Sequence, residues 1–162
     1  MIADPTLRAR ALAELYFPAE ARLWGDLAES EAASALAPAA RGEWECLALY
    51  ACVRGLVAAG GFNVETAAAV DALHDAVIAY WTAQVAPAEA LDVRRARVAE
   101  RYAEYGRIGQ ELEAKGAHQV TRALGEAAAR HMAGGDPRVA EMAGELHEAL
   151  AEGAAEFVRT RP

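Results

Sequence analysis

Apolar residues recur at steps of three and four along most of the chain, the period of a helix with one buried side. Between 63 and 85 the stripe is Val70, Leu73, Val77, Trp81 and Val85. Between 88 and 115, Leu91, Val98, Tyr105 and Leu112 fall seven apart, and Tyr102 and Ile108 widen the stripe. Between 137 and 159 the large apolar positions are Val139, Met142, Leu146, Leu150 and Phe157. Each pattern predicts a helix on the surface of a bundle. The stretch 42–59 reads differently. From Trp44 onward it is apolar nearly all round, with Glu45 and Arg54 its charges, which predicts a helix covered on every side.

Punctuation sets the expected boundaries. Asp4-Pro5 reads as an N-cap followed by a proline at the first helical position, opening a short helix through Tyr16. Pro18 is expected to restart a second helix that ends near Ala37-Pro38. Gly60-Gly61 closes the third, Asn63 caps the fourth, and Pro87 follows it. The fifth spans about 88–115 and the sixth about 117–133, stopped by Gly134-Gly135. Asp136-Pro137 opens a last helix to about Arg159. The expected fold is all-α: one domain over 1–162, a bundle of five to seven helices around a central buried helix at about 42–59.

Composition sharpens this picture. Of 162 residues 43 are alanine, Val, Ile and Leu together supply 29, and Ser and Asn total three. Strand formers are too scarce for an all-β fold. Alanine favours helix and lets helix axes approach closely. A chain of this length buries about 70% of its unfolded surface, so no disulfide staple is required. Cys46 and Cys52 lie six apart, about 9 Å along one helix axis and on different faces, which predicts reduced, buried thiols.

Sixteen basic residues stand against 24 acidic ones, for a net charge of −8. That balance argues against nucleic acid and against an anionic membrane surface. The run 46–62 is broken by Arg54 and three glycines, and 1–10 has no apolar signal core. The expected location is cytoplasmic.

Candidate chemistry is sparse. Asp71, His74 and Asp75 share one side of the fourth helix, and carboxylate-x-x-His is how bundles present metal ligands. No second such motif occurs, and no cofactor is implied. Arg54 is expected to pair with Asp71 or Asp75 across a hairpin at 61–62, because a lone buried cation needs a partner. Arg54, Asp71, His74 and Asp75 therefore form the candidate ligand site, with Trp44, Tyr50, Tyr80 and Trp81 available as apolar walls. His118, His131 and His147 read as scattered. Gly106 and Gly109 read as small residues for close helix approach.

Two charged stripes complete the inventory. Glu141, Glu145, Glu148, Glu152 and Glu156 line one side of the last helix, and Arg94, Arg95, Arg97 and Arg101 crowd the fifth. Like charges at this spacing destabilise an isolated helix, so the stripes suit pairing with each other, within one chain or across a homodimer. Arg94, Arg97, Arg101, Glu141, Glu145 and Glu148 are the candidate partner-facing residues. The functional expectation is a non-enzymatic bundle acting by self-association or protein-partner binding. The alternative is a small-molecule or metal-binding bundle, conceivably a hydrolase, at the Asp71–His74–Asp75 cluster.

Overall fold

A computed structural model describes residues 4–87 and 89–160. They form six α-helices: α1 (Pro5–Ala28), α2 (Ala40–Gly60), α3 (Val64–Ala83), α4 (Leu91–Leu112), α5 (Ala117–Ala133) and α6 (Pro137–Thr160). Turns of 3₁₀ helix lie at Glu31–Ala35 and Glu113–Lys115, and no strand occurs among these residues. The fold is an all-α bundle. The expected 1–10 leader reading and the expected start of the fifth helix at Ala88 lie partly outside the described residues.

Capping accounts for the boundaries. Asp4 accepts from the Thr6 N–H at 2.9 Å. Asn63 accepts from the Thr66 N–H at 2.8 Å and donates to the Gly60 carbonyl at 2.7 Å, tying α2 to α3. Gly134 ends α5 in the left-handed conformation (φ 59°), where a side chain would be strained. Asp136 then accepts from the N–H groups of Arg138 and Val139 to open α6.

Several boundaries differ from expectation. The helix expected to reach about Ala37 ends at Ala28, followed by the 3₁₀ turn at Glu31–Ala35, and α4 spans Leu91–Leu112 rather than about 88–115. α1 continues through Pro18 rather than restarting there. Pro18 and Glu14, whose carbonyl loses its donor, are both exposed, so water satisfies the vacated acceptor. On the other side Tyr16 and Leu23 are buried and anchor the helix to the core. α3 stops at Ala83, two residues early, leaving Val85 exposed.

α2 occupies the centre and packs against all five other helices. Trp44 and Leu47 are fully buried on it. The Trp44 indole donates to the Glu20 carbonyl of α1 at 3.0 Å, and the Tyr16 hydroxyl donates to the Glu45 carbonyl at 3.3 Å. α6 runs parallel beside α2: His147 meets the Leu47 carbonyl at 3.0 Å, and further along Arg159 meets the Ala58 carbonyl at 3.3 Å.

These tight contacts depend on small residues. A Cβ on Gly55 of α2 would lie 2.6 Å from the Ala154 Cβ and 2.7 Å from the Ala151 carbonyl of α6. One on Gly125 of α5 would strike the Ala140 carbonyl. The buried face of α6 is accordingly Val139, Ala143, His147, Leu150, Ala154 and Val158. Met142, Leu146 and Phe157, read from the sequence as its core stripe, lie at the margin.

Candidate functional site

The expected Arg54 pairing is corrected by the path of α6. Arg54 bonds Glu148 at 3.2 Å, and Thr121 of α5 also donates to that carboxylate, at 2.5 Å. Burial alone would raise the Glu148 pKa, but the Thr121 bond and the Arg54 charge outweigh it and hold the carboxylate below its usual range. Asp71 and Asp75 face solvent on α3. The four expected ligand-site residues are thus split between two faces.

His74 stays half-buried and shares a 2.7 Å hydrogen bond with the Tyr102 hydroxyl of α4. Desolvation lowers its pKa, opposed by the Asp71 and Asp75 charges, which favours the neutral ring. Beside it lies a cavity of about 170 Å³ walled by Leu49, Val77, Trp81 and Val98. This is below the range of about 300–1,000 Å³ usual for small-molecule sites. Among the described residues no three His, Cys, Asp or Glu side chains converge as a metal centre requires. Of the expected walls, Trp44 is spent in the core and Tyr80 packs on Phe17 at 4.0 Å.

The α4 arginines meet α2 rather than α6. Arg101 forks onto Glu43 at 2.7 and 3.1 Å. Arg94 reaches both Glu45 oxygens at 2.9 and 3.1 Å while its guanidinium sits 4.4 Å over the Trp81 ring. Arg97 forks onto Glu89 and lies 3.7 Å from Glu43. Arg41 completes the lattice by bonding the buried Glu20 at 2.7 Å. Burial raises the Glu20 pKa, and the Arg41 hydrogen bond opposes it. Forked, half-desolvated pairs of this kind are geometrically specific. They also remove Arg94, Arg97 and Arg101 from the expected partner-facing set.

That pairing leaves the α6 acidic row without basic partners. Glu141, Glu145, Glu152 and Glu156 are exposed and carry no ion pair among the described residues; only Glu148 is engaged. Beside Glu141 and Glu145 runs a groove of about 750 Å³ between α5 and α6, with His118, Arg122 and Arg130 on its far wall.

One buried group lay beyond the sequence reading. His147, read from the sequence as one of the scattered histidines, is completely buried, donating from Nδ1 to the Leu47 carbonyl while Nε2 has no partner. Desolvation first, then the Arg54 charge, lowers its pKa to about 3. Tyr50 stacks on the ring at 6.1 Å and also touches Tyr102 and Tyr105, whose hydroxyl is likewise buried without a partner. The available signal was spacing: 139, 143, 147, 150, 154 and 158 repeat at the helical period once alanines count as core.

No family model, curated protein or solved structure matches the chain, so its functional reading rests on this geometry.

Proposed function

We propose that the chain is a binding module rather than an enzyme, and that it acts through the outer face of α6 and the adjoining α5–α6 groove. The observation that carries this reading is the un-neutralised row Glu141, Glu145, Glu152 and Glu156, left free because the α4 arginines are committed to α2 and the α3–α4 connection. Such a row destabilises its own helix by a few tenths of a kcal/mol per pair. A basic partner relieves that repulsion and gains steering at low salt. Self-association is the weaker form of the reading, since two acidic rows facing each other repel. A second copy would have to bring a different, basic face to the acidic row, such as exposed Arg95 and Arg107 of α4.

The test combines sedimentation velocity with the anisotropy of a labelled lysine-rich peptide at two salt concentrations. Binding that weakens with salt and disappears in the Glu141→Lys/Glu145→Lys/Glu152→Lys/Glu156→Lys protein is expected. A strict monomer whose peptide binding is absent, or is unchanged by the reversal, defeats the proposal.

A further inference from the structure

A second cavity, of about 250 Å³, lies where the first turn of α2 meets α4. Three guanidinium groups line it, from Arg41, Arg94 and Arg97, against two carboxylates, Glu45 and Glu89. Pro38, Ala39 and Gly42 form its backbone side. Glu20 and Glu43, which bond Arg41 and approach Arg97 from outside the lining, match the remaining charge, so the cavity is walled by ion-paired guanidinium groups.

Several features suit this place to an oxyanion. Ala39, the N-cap residue of α2, offers no side-chain cap to the first-turn N–H groups, so the positive end of a 21-residue helix opens here. Gly42 has no Cβ at the point where one would run into the Arg97 guanidinium, and its absence gives that group its seat. Arg41 Nη1 is buried and lies 3.7 Å from Glu45, within ion-pair reach but without a hydrogen bond. Arg94 and Arg97 side chains are only 12% and 16% exposed, so their charges are poorly screened by solvent.

An oxyanion is already present. The Glu89 carboxylate enters from the α3–α4 connection and takes the Arg97 fork, one bond measuring 2.7 Å. Glu89 is not part of a helix, and its side chain is about one-third exposed, 32%. Its partner Arg97, by contrast, is held between two helices and also reaches Glu43 at 3.7 Å. The fixed member of the pair is the cation, and the replaceable member is the carboxylate.

We propose that this cavity binds a small ligand through a terminal phosphate or carboxylate, which exchanges with the Glu89 carboxylate on Arg97 and is completed by Arg41 and Arg94. The exchange is a swap of one oxyanion for another on a forked guanidinium, so no covalent step is involved. Arg97 supplies the fork, Arg94 and Arg41 supply charge from the sides, and the α2 N-terminus faces the remaining oxygens.

The experiment is calorimetric titration with inorganic phosphate and with succinate, at ionic strength fixed by sodium chloride. It uses the wild-type chain and the Glu89→Gln, Arg97→Gln and Arg41→Gln proteins, each checked for its helical melt. Glu89→Gln removes the competing charge and is expected to tighten binding about tenfold, the equivalent of about 1.4 kcal/mol. Arg97→Gln is expected to abolish binding. Arg41→Gln is expected to weaken binding and, because it strips the buried Glu20 of its partner, to lower the helical melt; Glu89→Gln, which leaves every arginine in place, keeps the test valid should an arginine variant fail to fold. Stronger binding of phosphate assigns the phosphoryl class, and stronger binding of succinate the carboxylate class. Absence of saturable binding of both anions to the Glu89→Gln protein, or affinities equal in Glu89→Gln and Arg41→Gln, overturns the proposal.

Discussion

His147 is the residue whose surroundings contradict its chemistry most sharply. Its folded pKa of about 3 lies below the usual 6.5, so below pH 6.5 the unfolded chain takes up a proton that the folded chain refuses. Stability contributed by this group is complete above pH 6.5 and is lost as pH falls toward 3, at up to about 1.4 kcal/mol per pH unit. Glu148, with its depressed pKa, joins the loss only below its usual 4.5, and Glu20, whose pKa burial raises, acts in the opposite sense just above 4.5, so the histidine effect is read in the upper part of the window, below pH 6.5. His74, lowered more mildly by burial, acts in the same direction there. Urea denaturation across this window is expected to show a shallower slope for His147→Asn than for the wild type. Equal slopes would place the proton uptake elsewhere.

At the scale of helices, the contrast between α6 as read and α6 as folded explains what a sequence can and cannot disclose. The ends were legible: Asn63, Gly134 and Asp136 act locally, and the residues that make a cap are neighbours in the chain. The buried face was not, because the largest apolar residues were taken as the most buried. Against the glycine-lined sides of α2 and α5 the closest fit belongs to Ala143, Gly144, Ala151 and Ala154, and Met142 and Leu146 are displaced outward. Pro18 misled for a similar reason, since its cost depends on exposure of the Glu14 carbonyl, a tertiary fact. Three substitutions test this account by thermal melting. Gly125→Ala forces a methyl against the Ala140 backbone and is expected to cost about 1–3 kcal/mol. Gly153→Ala, with nothing near its Cβ position, is expected to stabilise α6 by roughly 0.5–1 kcal/mol. Pro18→Ala restores a helical donor and should raise stability by on the order of 1–3 kcal/mol. A destabilised Gly153→Ala or a neutral Gly125→Ala would contradict the packing described here.

Across the whole molecule, the centrality of α2 was readable because a helix apolar on every side has one place to go. The charge lattice around it was not. Glu43 and Glu45 stand at the start of α2 and look like minor interruptions of an apolar run, yet they anchor Arg101 and Arg94 from a helix about 50 residues later. Arg54 and Glu148 are 94 positions apart, so no local spacing could announce their pairing. The candidate site was visible to the same degree: the arginine cluster stood out, but its relation to Glu89 and to the opening turn of α2 required the fold. A connected core that draws on all six helices predicts one cooperative transition. Helix content by circular dichroism and emission from Trp24, Trp44 and Trp81 are expected to melt together. Separate midpoints would mean that part of the bundle unfolds on its own.

The two thiols of α2 give that cooperativity a timekeeper. Cys46 and Cys52 are free, respectively 2% and 0% exposed, and burial pushes both pKa values up to about 12. An alkylating reagent needs the thiolate and a path to it, and the closed bundle denies both. Alkylation therefore has to wait for the central helix to lose its cover. The rate at which label accumulates under native conditions counts those openings directly, without denaturant and without any engineered probe.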